Sequence, residues 1–146
     1  MTPDDPLLIA ELRRDEGVEY MPYLDTEGIP TVGVGHNLKA KPLPDGWTYP
    51  LTDAQVDQLL AEDLQAVFDG LDGYLPWWRK LDYERQRVLA NMAFNLGING
   101  SLGFKNTLAA IEQGRYSAAG AGMAASKWAT QVGARADRLV DMMVNA

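Results

Sequence analysis

Residues 18–36 read VEYMPYLDTEGIPTVGVGH, and this stretch decides the fold. Its centre, DTEG, is a good turn sequence in which Gly28 supplies permissive backbone angles. We therefore predict strand, turn and strand over residues 20–38. With a period of two, TVGVGH has one nearly bare side and one side that can pack on protein. The bare side would hold Thr31, Gly33 and Gly35, and the packed side Val32, Val34 and His36.

Glycines at alternate strand positions often mark a place where another group approaches the backbone closely. A polymeric ligand lying along the bare side would account for them. A helix packed tightly against that side, or a bulge in the strand, would account for them equally well.

Three oxygen-bearing side chains can converge at this hairpin. Glu16 ends the first predicted helix, Asp25 precedes the turn, and Thr31 follows it. Glycoside hydrolysis needs two carboxylates of unequal acidity. Glu16 suits the acid role, because the negative end of a helix dipole disfavours an ionised carboxylate. Asp25 suits the ionised role, and Thr31 could hold a water beside it. The alternative is that these are an ordinary turn Asp and helix-end Glu without a catalytic role.

The rest of the chain is predicted to be helical. A first helix runs from Asp4 or Asp5 to Glu16, and TDAQ at residues 52–55 matches a capping box that starts a long helix. Further helices are expected at 82–96, 104–113, 117–128 and 134–144. The fold class is therefore α+β, mostly α. We expect a single domain over residues 1–146, with a sheet lobe at about 17–50 and a helical lobe at about 72–146 that packs with the first helix. A cleft is expected between the lobes.

Composition excludes several functions. The chain has 146 residues, no cysteine, one histidine and a net charge of −7, which argues against generic nucleic-acid binding and against attraction to anionic membranes. One histidine without cysteines leaves little for a zinc site. No stretch approaches the length of a membrane span, and the N-terminus does not resemble a secretory signal. We expect a monomer.

His36 falls on the valine side of the hairpin, which favours a structural role. We predict a buried or half-buried ion pair between His36 and Asp63 of the long helix; a catalytic His36 is the alternative. The tryptophans could stack on sugar rings, although packing in a core is their more usual use. They are Trp47, Trp77, Trp78 and Trp128.

The segment LRRDEG…YLDTEGIPTVGVGHNL closely resembles the active-site region of the phage-type lysozymes, the endolysins and tail lysozymes of tailed bacteriophages (glycoside hydrolase family 24). The family pattern is Glu, eight residues, Asp, five residues and Thr, and Glu16, Asp25 and Thr31 match it. The likeness continues in NMAFNLGINGSLGFKNTL (91–108) and SKWATQVGARADRL (126–139), so it covers most of the chain.

The resemblance implies a lysozyme-like fold and a muramidase that cuts the β-1,4 bond between N-acetylmuramic acid and N-acetylglucosamine in peptidoglycan, with inversion. It implies Glu16 as general acid, with Asp25 and Thr31 positioning the attacking water. No cofactor is implied. The cleft-lining residues implied by the family pattern are Asn37, Phe94 and Thr107, the last where a serine is familiar. Arg135 falls where the family has an arginine that can pair with the catalytic Glu.

For cellular context, we expect an endolysin that accumulates in the host cytoplasm and reaches the wall through a separately encoded pore. A lytic transglycosylase is an alternative hypothesis. Enzymes of that class use one Glu and no water-activating Asp, so the presence of Asp25 and Thr31 argues against it. From another class, the chain could be a non-catalytic wall-binding or scaffolding module, or part of a phage tail device.

Overall fold

Residues 19–37 form a three-stranded antiparallel sheet. Its strands are β1 (Glu19–Leu24), β2 (Pro30–Gly33) and β3 (His36–Asn37), in the order β1-β2-β3. The structure is a computed structural model and describes residues 1–146. Two compact units divide the chain, one of residues 2–66 and one of residues 67–146 together with Met1. The sheet lies in the first unit, and the predicted α+β, mostly helical, fold class is confirmed.

The second predicted strand is wrong beyond Gly33, because the chain reverses there instead of continuing to His36. Gly33 has φ 68° and Gly35 has φ 63°, both in the left-handed region that favours glycine. Side chains alternate between two faces only in extended backbone, so the predicted bare face does not exist. A Cβ atom on Gly33 would lie 3.7 Å from Val56 of the long helix. At Gly33, the packed-helix alternative is therefore the right one.

The first helix, α1 (Pro6–Glu16), begins and ends as predicted. The Asp5 side chain accepts a hydrogen bond from the Leu8 N–H at 3.0 Å and satisfies a donor that the first turn leaves unpaired. Pro6 occupies the first helical position, where its missing N–H costs nothing. At the other end Gly17, with φ 76°, donates to the Arg13 carbonyl. The helix therefore stops at Glu16, which fixes where that carboxylate leaves the backbone.

The long helix α2 (Asp53–Tyr74) starts with the predicted capping box. The Gln55 N–H donates to Thr52 Oγ1 at 3.1 Å, and Gln55 Oε1 accepts from the Thr52 N–H at 2.9 Å. These reciprocal bonds satisfy two backbone donors at once. The apolar side chains that recur along α2 at helical spacing are buried, except Val67, which is half-buried; the buried ones are Val56, Leu59, Leu60, Leu64, Phe68 and Leu71.

The second unit is helical. After a 3₁₀ turn at Pro76–Lys80 its helices are α3 (Tyr83–Leu102), α4 (Lys105–Glu112), α5 (Tyr116–Ala124), α6 (Lys127–Val132) and α7 (Ala134–Asn145). Gly97 (φ 74°, ψ 164°) has a non-helical backbone inside α3, so the helical geometry is interrupted after Leu96, where the sequence predicts a helix end. One predicted boundary is wrong. The helix expected at 117–128 is two helices, because the Ser126 side chain accepts from the Ala129 N–H and starts a new one. None of the helices has the length and apolar character that crossing a bilayer requires.

The predicted contact between His36 and Asp63 is present in the first unit. His36 Nδ1 lies 2.7 Å from Asp63 Oδ2, and His36 Nε2 lies 2.8 Å from the Lys41 carbonyl oxygen. His36 is only 2% exposed. Burial by itself would lower the pKa of His36, but the hydrogen bond to Asp63 and the Asp63 charge outweigh it, and the pKa is raised. With both ring nitrogens facing oxygen acceptors, the imidazolium form is favoured.

Asp63→Asn should therefore destabilise the protein by about 2 kcal/mol below pH 6, the typical magnitude for a hydrogen bond to a charged group. The folded-state pKa of His36 is higher than its unfolded value of about 6.5. The pair's contribution is thus fully present below that value and is lost as the pH rises through the folded-state pKa. Denaturant unfolding of both proteins across this range measures the difference, which should shrink at high pH. Glu62→Gln, next to Asp63 and paired with exposed Lys41, is the matched control and should cost well under half as much. A difference that grows with pH would contradict the assignment.

Candidate active site

Glu16 is held against the second reversal of the sheet. A Cβ atom on Gly35 would lie 2.7 Å from Glu16 Oε1 and 3.1 Å from its Cδ, so the carboxylate occupies space that any other residue at position 35 would fill. Because α1 ends at Glu16, its side chain starts from a fixed point. The end of α1 and the turn at Gly35 together place the Glu16 carboxylate against the Gly35 backbone.

Asp25 is fixed by the first turn of the sheet. Its Oδ1 accepts from the Glu27 N–H at 2.8 Å and from the Ile29 N–H at 2.9 Å. Its own N–H donates to the Ile29 carbonyl at 3.0 Å. Both side-chain bonds use the same oxygen, so Oδ2 keeps its capacity to accept from water or ligand.

Thr31 also bonds to the Ile29 carbonyl, which accepts from the Asp25 N–H. Its hydroxyl donates to the Ile29 carbonyl at 2.8 Å, and the residue is 4% exposed. Since the single hydroxyl hydrogen is used there, Thr31 Oγ1 can only accept from a further partner. The side chains of Asp25 and Thr31, six positions apart in sequence, therefore both bond to Ile29, Asp25 to its N–H and Thr31 to its carbonyl, and each keeps an acceptor oxygen.

Tyr23 is the residue of this region that sequence reasoning missed. The strand register pairs Tyr23 with Thr31 and Thr31 with Asn37, so the three form one row across the sheet. Directly paired side chains share a face. Burial raises the pKa of the Tyr23 hydroxyl, and the charges of Glu16, Glu19 and Asp25 raise it further. Its position two residues before Asp25, which is the spacing of one strand face, was the signal available.

Asn37, predicted to bind substrate, closes this row on β3. Its Oδ1 accepts from the Lys39 and Ala40 N–H groups, both at 2.9 Å, which orients the side-chain amide. Those bonds use the oxygen and leave the NH₂ group as a donor. The first unit thus contains Glu16, Asp25, Thr31 and Asn37 of the predicted set, together with the supporting pair of His36 and Asp63.

The other predicted residues belong to the second unit. Phe94 is half-buried on α3. Thr107 is 7% exposed and lines a pocket of about 450 Å³ with Phe104 and Gly122. Arg135, on α7, is buried and donates through Nε to Asn91 Oδ1 at 2.9 Å. Sequence reasoning missed Asn91, although an asparagine amid the apolar residues of a helix was a usable signal.

The tryptophans divide between core and partly exposed positions. Trp78 and Trp128 are buried, and their indole N–H groups donate to Asp72 and Asn95, each at 2.7 Å. Trp47 and Trp77 are half-buried. The rings of Trp78 and Trp128 therefore pack in the protein interior. Nowhere in the chain do three or more His, Cys, Asp or Glu side chains form a group suited to a metal ion.

Comparisons with known proteins find several relatives of this chain. The pre-baseplate central spike protein Gp5 of Enterobacteria phage T4 is 30% identical over 94% of this chain, which spans 28% of that protein. The probable T4-type lysozyme 1 of Dictyostelium discoideum is 27% identical over 90% of both chains. The endolysin of Salmonella phage P22 is 35% identical over 61% of this chain and 60% of its own length.

The phage lysozyme family model matches residues 13–142, a range that includes every predicted site residue. Its first part contains the helix end, the turn and the sheet row described above. The chain therefore belongs to the phage lysozyme family, whose members include enzymes that hydrolyse peptidoglycan.

Proposed function

We propose that this chain is a muramidase that hydrolyses the β-1,4 bond between N-acetylmuramic acid and N-acetylglucosamine, with inversion. Glu16 is the general acid, and Asp25 and Thr31 hold and activate the attacking water. The observation that carries the proposal is the joint attachment of Asp25 and Thr31 to Ile29, which leaves one acceptor oxygen on each side chain.

Two adjacent acceptors are what an attacking water needs. A water has two hydrogens, and it can donate one to Asp25 Oδ2 and the other to Thr31 Oγ1. Its lone pair then points away from both, toward a bound sugar carbon. An ionised Asp25 can take the proton as the new bond forms, which is the base role in an inverting glycosidase. The backbone bonds at Ile29 hold this geometry before the substrate arrives, which reduces the entropy cost of the step.

The acid role of Glu16 rests on its placement. The contact with Gly35 limits the positions that its carboxylate can take, so a proton on it is presented in a defined direction. General acid catalysis by a positioned carboxyl contributes roughly 10²- to 10⁴-fold. From the family pattern we also propose that Asn37, Phe94 and Thr107 contact the glycan and that Arg135 has a supporting role.

For the wider context we propose a single domain that acts as a monomeric endolysin on peptidoglycan, without nucleic-acid or membrane partners. It would accumulate in the host cytoplasm and reach the wall through a separate pore protein. The likeness to the phage T4 spike protein keeps a virion-associated role as the alternative. Fractionation of phage particles and of lysing cells with an antibody to this chain would separate the two.

Glu16→Gln and Asp25→Asn should each reduce clearing of a peptidoglycan suspension by at least about 10²-fold, because each removes a proton-transfer group. Circular dichroism melting should show that both variants remain folded. Glu27→Gln is the control. Glu27 is exposed in the same turn, and its side chain has no part in the proposed reaction. Clearing by Glu16→Gln at the wild-type rate would refute the acid role.

Products from purified sacculi test the reaction type. Hydrolysis leaves reducing ends, whereas a lytic transglycosylase leaves 1,6-anhydro ends that mass spectrometry distinguishes by the loss of one water. Because Asp25 and Thr31 offer a site for water, we expect reducing ends only. Proton NMR of the first products should show the α-anomer, as inversion of a β bond requires. Anhydro ends, or an initial β-anomer, would refute the proposed mechanism.

Gly35→Ala should impair activity more than stability would explain. The new methyl would overlap Glu16 Oε1 and displace the acid. Gly46→Ala is the matched control, because Gly46 also has positive φ (85°) but nothing lies within 4 Å of its Cβ position. Both should lose about 1 kcal/mol through backbone strain, and only Gly35→Ala should lose turnover at a temperature where both are folded. Equal turnover of the two variants would show that the contact does not position Glu16.

A further inference from the structure

We propose that the Tyr23 hydroxyl donates a hydrogen bond to an oxygen of the bound glycan next to the cleaved bond. Tyr23 is thereby a substrate-contacting residue of the site. This inference rests on the proposed function, because the ligand is the sugar chain that Glu16 and Asp25 would act on.

Position is the first argument. Tyr23 is directly opposite Thr31 in the ladder between β1 and β2, so its side chain lies on the same face as that of Thr31. It also precedes Asp25, the first residue after β1, by two positions and is near enough for the Asp25 charge to act on its hydroxyl. The exposure of the side chains fits this shared face. Leu24 and Pro30, the next pair in the ladder, point to the opposite face and are exposed, whereas Thr31 is buried and Tyr23 is half-buried.

Hydrogen bonding is the second argument. The hydroxyl groups of Tyr20 and Thr31 donate to acceptors within the protein. The Tyr23 hydroxyl has no such partner although the residue is half-buried. A partly buried donor without a protein acceptor finds one in water or in a ligand. Because the phenol is a good donor with a fixed ring, it can hold a ligand oxygen at little entropic cost.

Charge identifies the class of ligand atom. The phenol is close enough to Glu16, Glu19 and Asp25 for their charges to act on it, and together with burial they raise its pKa. It therefore remains a neutral donor throughout the range in which a carboxylic acid and a carboxylate can work together. An anionic ligand atom at this place would be repelled by the carboxylates of Glu19 and Asp25, whereas a neutral sugar oxygen would not.

Tyr23→Phe tests the inference, since it removes one oxygen and keeps the ring that packs. We expect kcat/KM on sacculi to fall about tenfold, with a melting temperature within about 2 °C of wild type. Tyr20→Phe is the matched control, because Tyr20 lies on the same strand and its hydroxyl donates to Asp53 within the protein. Its kcat/KM should stay within about twofold of wild type.

Binding separates this inference from the proposed function. In the Glu16→Gln background, a tetrasaccharide muropeptide prepared from sacculi can be titrated calorimetrically without being cleaved. Adding Tyr23→Phe should weaken binding at least about threefold, and adding Tyr20→Phe should not. Equal affinities and equal kcat/KM for the Tyr23 and Tyr20 variants would overturn the role of Tyr23 and leave the proposed function standing. Failure of Glu16→Gln to bind the muropeptide, with no clearing by the wild type, would overturn both.

Discussion

The reversal of the chain between Gly33 and Gly35 is the constraint on which the first unit depends. Both glycines have positive φ, which a side-chain-bearing residue adopts only at a cost. The reversal pairs Val32 with His36 and so brings His36 under the sheet, where it meets Asp63. The same turn leaves open the space above Gly35 that the Glu16 carboxylate fills. One backbone feature therefore supports both an internal ion pair and the placement of the candidate acid.

The parts of the fold that the sequence predicted correctly are those held by bonds between near neighbours. The Asp5 cap and the reciprocal bonds of Thr52 and Gln55 each span three residues, so the residue types alone determine them. The reversal at Gly33 could not be obtained in this way. A glycine in an alternating pattern is compatible with an extended strand and with a turn, and only packing against α2 decides between them. At Ser126 the local signal for a helix start was present, but it lay within a run of alanines that also favours a continuous helix.

The candidate site was predictable in its members more than in its geometry. Spacing around the DTEG turn suggested that Asp25 and Thr31 would be neighbours, but not that both would bond to Ile29. The row of Tyr23, Thr31 and Asn37 depends on strand register, and β1 pairs with β2 through an irregularity between Glu19 and Tyr23. A shift of one residue would move every side chain of β1 to the opposite face. Such an irregularity leaves no mark in the residue types, so the spacing of Tyr23 from Asp25 was a signal in the sequence, but the strand register of the structure was needed to assign Tyr23 to this face.

The hydrogen-bonding capacity left over at the site indicates how it divides its work. The side chains of Asp25 and Thr31 each bond to the backbone, and each keeps an oxygen that can accept a hydrogen bond. The Asn37 side-chain oxygen accepts from the loop, so its NH₂ group stays available as a donor. The Tyr23 hydroxyl is available as a second donor. Acceptors can orient the two hydrogens of a water, whereas donors can hold the oxygens of a sugar. Within a single sheet row and its first turn, the side chains that would aim the nucleophile are thus chemically distinct from those that would hold the substrate. The backbone has already set that distinction before either ligand binds.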